Sequence, residues 1–133
     1  MLKAIADTHT IIWYIFADSR LSQTARSTID NLAANGDWVG FSMITIVEII
    51  YLIEKQRIPN ETLNKLLTEI NKDTSVLNPI VLDQNIALIL AQVSRDEIPD
   101  LPDRLIAATA LYYNIPIISR DSKIKSSSLV TIW

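Results

Sequence analysis

Short apolar runs alternate with longer helical stretches along this chain, and that alternation constrains its fold more than any other feature. Leu2 to Ala6, broken only by Lys3, has the length and character of a buried strand and runs into Asp7. Thr8 to Ala17 is apolar on every side, and Ser22 opens a helical stretch to Ala34 with Ala25, Ile29 and Leu32 on one face. Asn35-Gly36-Asp37 ends it; Trp38, Val39 and Phe41 form a second strand, and Ile44 to Lys55 a buried helix that stops before Pro59. A helix over Asn60 to Asn71, an extended segment over Ser75 to Val81 and a helix capped by Asp83 and running to about Val93 come next. Asp96 to Pro102 is a loop by composition. Asp103 to Tyr113 is a strongly apolar helix closed by Asn114, Ile115 to Ser119 a further buried strand, and Leu129 to Trp133 a last one. Parallel neighbours need helical crossovers, so the pattern predicts an α/β fold: a short central parallel sheet covered by helices on both faces. Ligands of such sheets bind beyond the carboxyl ends of the strands, which directs attention to the residues just after each one.

At 133 residues, the chain is expected to form a single domain over positions 1–133, and 49% hydrophobic residues suffice for an ordinary core. Its longest apolar run, Ile11 to Ala17, is far below the roughly 20 residues of a membrane-spanning helix, and acidic Asp7 stands where a signal peptide carries basic residues. The expectation is a soluble, unprocessed, cytoplasmic protein. With no Cys and the single His9, disulfides and thiolate chemistry are excluded, and a zinc site or serine triad is disfavoured. Twelve Lys and Arg against 15 Asp and Glu give a net charge of -3, so any nucleic acid must be held locally rather than by bulk attraction. Carboxylate oxygen is left as the leading ligand type, which points to hard cations such as magnesium or manganese.

Most acids, including Asp18, Asp30, Asp37, Glu54, Glu61, Asp73 and Asp96, lie in polar stretches or at helix ends, where water or a cap accounts for them. Four stand in different company. Glu48 sits within Ile46-Val47-Glu48-Ile49-Ile50, its helical neighbours being Ile44, Thr45, Tyr51 and Leu52; there it needs a partner, either a structural ion pair or a ligand. Asp103 begins an apolar helix whose Ile106, Ala107 and Ala110 leave room for a ligand, although a favourable place in a first helical turn explains it as well. Asp7 follows the first strand and is either a cap or a site residue, and Asp121, after Ile117-Ile118-Ser119-Arg120, is either a turn or a site residue. If the four converge at one sheet edge, their mutual repulsion calls for one or two divalent cations, and phosphodiester hydrolysis follows as the hypothesis.

The segments Asp7-Thr8-His9-Thr10 running into Ile11-Ile12-Trp13, the stretch around Glu48, Pro102-Asp103-Arg104-Leu105-Ile106-Ala107-Ala108-Thr109-Ala110 and Ser119-Arg120-Asp121 occur in this order along nearly the whole chain. Together they closely resemble a PIN domain of the VapC toxin type. The resemblance implies a PIN-like fold and a metal-dependent endoribonuclease, the toxin of a toxin–antitoxin pair, using Mg2+ or Mn2+. It puts Asp7, Glu48, Asp103 and Asp121 at the four acidic positions, with Thr8 and Ser119 matching the hydroxyl residues beside them. It also implies homodimers and a small antitoxin whose tail covers the acidic groove.

Asp100 lies close enough to Asp103 to join the site or only its rim; Asp103, on the apolar helix, is the better match. Arg104, Arg120, Lys123 and Lys125 cluster near the motif ends, where they either touch phosphates or form a solvated rim. His9 either reaches RNA or orients a helix start, while Trp13, Tyr14, Phe16 and Tyr51 suit a core or an interface better than base stacking. Two competing readings are a catalytically degenerate PIN-like binding or scaffold domain in RNA processing and a receiver-like phosphoacceptor domain. Retention of a charged Glu48 among apolar residues argues against the first. Ala6 beside Asp7, where a receiver has adjacent acids, argues against the second.

Overall fold

The computed structural model describes residues Met1–Trp133 and contains five parallel strands joined by helices. In chain order the elements are β1 (Leu2–Ala6), α1 (Thr8–Ile15), α2 (Gln23–Ala34), β2 (Trp38–Ser42), α3 (Ile44–Glu54), α4 (Thr62–Ile70) and β3 (Leu77–Ile80). They continue with α5 (Gln84–Ile89), a 3-10 turn at Leu90–Gln92, α6 (Leu101–Tyr113), β4 (Ile117–Ile118), α7 (Ser122–Lys125) and β5 (Thr131–Ile132). The strand order is β3-β2-β1-β4-β5, and every adjacent pair is parallel. β1 therefore lies in the middle, where the winding of the sheet changes direction, and the crevice beyond its carboxyl end is the natural ligand position.

Strand alternation builds the two layers. Ala4, Ala6, Val39, Phe41 and Ile118 face a core completed by Ile11, Ile12 and Trp13 of α1, Ile29 of α2, Ile49 of α3 and Leu66 of α4. Ile5 and Ile117, one residue out of step, face the opposite core with Ile86 of α5, Ile106 and Ala110 of α6 and Ile124 of α7. Period-two alternation thus sends the apolar residues of β1 and β4 into both layers, as a sheet covered on both sides requires. Each isoleucine removed from water this completely contributes about 1.5 to 3 kcal/mol. Gly40 is closely enclosed within the sheet: a Cβ there would lie 2.9 Å from Ile5 Cδ1 and from Leu2 Cδ1.

Several boundaries differ from the sequence reading. α6 starts at Leu101 rather than Asp103, because Asp100 is the N-cap and accepts a hydrogen bond from the Asp103 N–H at 3.1 Å. Pro102 sits inside the first turn, where a missing N–H costs nothing. The helix expected from Asp83 to Val93 is α5 followed by the tighter 3-10 turn. Pairing narrows the extended segments to Leu77–Ile80, Ile117–Ile118 and Thr131–Ile132, and Pro79 is tolerated because β3 is an edge strand. The short α7 has no counterpart in the sequence pattern. No helix is long and apolar enough to cross a membrane.

Candidate active site

The carboxyl end of β1 is held by its neighbour before any side chain is considered. The Asp7 N–H donates to the Ile118 carbonyl at 3.2 Å, and Thr10 Oγ1 donates to the same carbonyl at 3.0 Å, so the start of α1 is moored to the end of β4. Asp7 is buried and is the N-cap of α1: its Oδ1 accepts from the Thr10 N–H at 3.0 Å and its Oδ2 from Ser119 Oγ at 2.5 Å. Ser119 Oγ in turn accepts from the Asp121 N–H at 3.0 Å. Asp121 caps α7, its Oδ1 accepting from the N–H groups of Lys123 and Ile124, which leaves Oδ2 uncommitted. The capping and site readings of Asp7 and Asp121 are therefore not exclusive, since one oxygen orients the helix while the residue faces the crevice.

Glu48 arrives from the other side of β1. Ser42, at the end of β2, accepts from the Ile44 N–H at 3.2 Å and sets the start of α3, one turn before Glu48. Thr8 Oγ1 donates to Glu48 Oε1 at 2.6 Å and lies 3.0 Å from Thr45 Oγ1, so a hydroxyl, rather than an ion pair, partners this half-buried acid. Burial raises the Glu48 carboxyl above its ordinary value, the Thr8 hydrogen bond pulls it back, and Asp100 and Asp7 raise it further. Asp103, in the first turn of α6, receives no such support. Burial first, then the charges of Asp100, Asp121, Glu48 and Asp7, push its carboxyl up to about 8.

These four acids line one pocket of about 600 Å³, together with Thr8 and Asp100. Asp100 thus has two roles, as the cap of α6 and as a fifth acid on the pocket wall. Ile98 and Pro99 supply an apolar edge. No three of the carboxylates close around a single point as a ready-made cage. An open set of oxygen donors still fits magnesium or manganese, because magnesium binds through one or two carboxylates and keeps several of its waters. The raised Asp103 carboxyl fits as well, since crowded carboxylates without a counter-charge retain a proton that a cation would displace.

Of the basic residues singled out in the sequence, Arg120 and Lys123 reach the pocket, whereas Arg104 does not. Its guanidinium turns back to donate to the carbonyls of Leu90 and Val93, each at 3.0 Å, pinning the 3-10 turn against α6. A helical position next to Asp103 does not fix which way so long a side chain turns, and the carbonyls of Leu90, which also accepts the Val93 N–H, and of Val93 capture it. Lys125 also lies outside the lining. Trp13 is core, as expected, though it also borders the pocket, and the His9 ring lies beside it, tilted by 45° with ring centroids 5.5 Å apart. Sequence reasoning missed Arg20, which lines the pocket from the segment after α1. Nothing in its local sequence marks it.

The parallel sheet gathers acids at its central switch point, and comparison with known proteins supplies the family. Residues 4–127 match the PIN domain, and the chain belongs to that family. It is 23% identical to Ribonuclease VapC22 of Mycobacterium tuberculosis over 136 residues that span the whole of both chains. The fold is shared with the VapBC2 complex of Rickettsia felis bound to a promoter DNA fragment, with a TM-score of 0.71 and 19% identity over 98% of this chain and 97% of that one. It is shared too with the DNA-bound VapBC of Salmonella typhimurium, with a TM-score of 0.67 and 21% identity over 98% and 96% of the respective chains.

Proposed function

We propose that the chain is a single-domain, divalent-metal-dependent endoribonuclease that acts as the toxin of a toxin–antitoxin pair. The observation that carries this reading is the gathering of Asp7, Glu48, Asp103 and Asp121 from four separate stretches onto one pocket, with Asp103 pushed up to about 8 by the others and by burial. Bound Mg2+ or Mn2+ supplies the polarisation of a phosphodiester oxygen and the acidification of a water. The protein's own residues do the rest. Thr8 orients Glu48 through Oε1, Ser119 and the Thr10 N–H orient Asp7, and the first turn of α7 orients Asp121, so that each carboxylate presents its remaining lone pairs from a fixed position. Asp103, whose carboxyl has no hydrogen-bond partner, is the group whose proton a cation would release.

Protein partners belong to the same reading. Met43, the N-cap of α3, and Val47, Ile50 and Tyr51 within it are exposed along one helical stripe, apolar surface that a second copy of the chain or a small antitoxin would cover. The relatives of similar fold were solved as toxin–antitoxin complexes, which supports an antitoxin here.

The test is cleavage of a defined single-stranded RNA by the purified chain. Chelation should abolish cleavage and Mg2+ or Mn2+ restore it, while Asp7→Asn, Glu48→Gln and Asp103→Asn each lower the rate by about 100-fold or more and Asp73→Asn leaves it unchanged. RNA binding with no cleavage in any metal would favour the scaffold reading instead.

A further inference from the structure

The five acids of the pocket would repel an RNA backbone, and a chain of net charge -3 offers no general attraction to offset this. The only Arg or Lys side chains on the pocket wall are Arg20, Arg120 and Lys123. Two of them share a seat. The Arg120 guanidinium lies over the indole of Trp13 at 4.5 Å from its centroid, and that of Arg20 lies over it at 5.3 Å. Trp13 is only 4% exposed, so no base can stack on it; its remaining contacts include His9 and an edge-on Trp133 ring at 5.9 Å.

We infer that Arg120 and Arg20, both seated on Trp13, form a phosphate-gripping rim that holds the RNA backbone beside the acidic pocket, an assignment that rests on the nuclease reading above. Arg120 stands between Ser119, which bonds Asp7, and Asp121, so its backbone is locked to two of the candidate metal ligands. It has no carboxylate partner, and its guanidinium donors are free for a phosphate. Arg20 is differently prepared. Asp18 Oδ1 accepts from its Nε at 3.0 Å and Asp18 Oδ2 from its Nη2 at 2.8 Å, which fixes the plane of the guanidinium and leaves Nη1 for a ligand. Guanidinium groups held on an aromatic face lose less freedom on binding than solvated ones and keep the planar fork that matches phosphate oxygens. The indole is a pedestal for the cations rather than a platform for bases, which predicts binding through the RNA backbone without base preference at this rim.

The experiment measures binding of a labelled single-stranded RNA of about a dozen nucleotides to Asp103→Asn protein in Mg2+ over a series of KCl concentrations. Arg120→Ala should weaken binding about tenfold and reduce the slope of log K against log [KCl] by about 0.7, the amount expected when one phosphate of a single strand is no longer neutralised. Arg20→Ala together with Arg120→Ala should reduce it by about twice that amount, and Arg120→Lys should keep the slope while lowering the affinity in part. In the active chain, Arg120→Ala should raise KM far more than it lowers kcat. Unchanged affinity and slope in Arg120→Ala and in the double variant, with RNA still bound and thermal melting intact, overturn the rim and leave the nuclease reading standing. Failure of the parent protein to bind or cleave RNA removes both.

Discussion

Ser119 and Asp7, 112 residues apart in sequence, share a buried hydrogen bond of 2.5 Å that ties the end of β4 to the end of β1. The donor serves a carboxylate, so its loss strands a charged acceptor. Ser119→Ala is expected to cost about 1.5 to 3 kcal/mol of stability, read from urea denaturation. It should also slow RNA cleavage by leaving the Thr10 N–H alone to orient the Asp7 carboxylate, and a variant as stable and active as the parent would deny the bond any structural weight.

Thr8 holds Glu48 by the same logic on the other side of β1. Thr8→Val removes the one hydrogen bond that lowers the Glu48 carboxyl and keeps the methyl volume, so Glu48 should hold its proton to higher pH. Isothermal titration should then show Mg2+ binding weakened several-fold in Thr8→Val, whereas Thr8→Ser, which retains the hydroxyl, should stay close to the parent.

Asp103 gives the chain a pH signature. Its folded carboxyl is raised from 3.8 to about 8, so the metal-free native state binds a proton that the unfolded chain releases near pH 4. Below pH 4 both states are protonated and nothing is lost. Between about 4 and 8 each rise in pH favours the unfolded chain through this group, and above 8 the penalty levels off. Thermal melts in chelator should therefore fall over that window for the parent and fall less for Asp103→Asn. Magnesium at a hundred times its dissociation constant should return about 2.7 kcal/mol to the parent, and markedly less to the variant.

Gly40 tests the sheet itself. Gly40→Ala places a methyl 2.9 Å from the Cδ1 atoms of Leu2 and Ile5 and 3.0 Å from Ile80 Cγ1. The Leu2, Ile5 and Ile80 side chains must shift to admit it, which should cost about 1 kcal/mol in denaturant midpoint analysis. Gly36→Ala should also destabilise, by a different cause, because Gly36 has a φ of 72° in open space.

The fold was legible because strand and helix segments differ in length and periodicity: Ser22 and Asp83 cap the helices that their positions predict, and Asn114 closes α6 in the left-handed conformation. Of the acids, Glu48 was legible by itself, because it sits on an apolar helix, whereas Asp7, Asp103 and Asp121, each explicable as a cap, first-turn or turn residue, became candidates only jointly, as strand ends and a helix start able to converge. Side-chain direction was not legible. Arg104 follows Asp103 directly and yet leaves for the Leu90 and Val93 carbonyls, whereas Arg20, in a segment with no motif, enters the pocket across Trp13. Asp100 and Asp103 could not be assigned to cap and first turn from spacing alone, because both positions favour an acid and Pro102 suits the first turn as well as a loop.

Placing β1 between β2 and β4 governs when the pocket can exist during synthesis. The strand made first is completed by one of the last, so a chain emerging from the ribosome carries Asp7 and Glu48 long before Ser119 and Asp121 have been added. Until then Asp7 lacks its donor and one wall of the pocket is missing. On the nuclease reading, a growing polypeptide of this design is inert towards the messenger and ribosomal RNA beside it, and becomes a threat to them only once its final quarter has folded back onto its first strand.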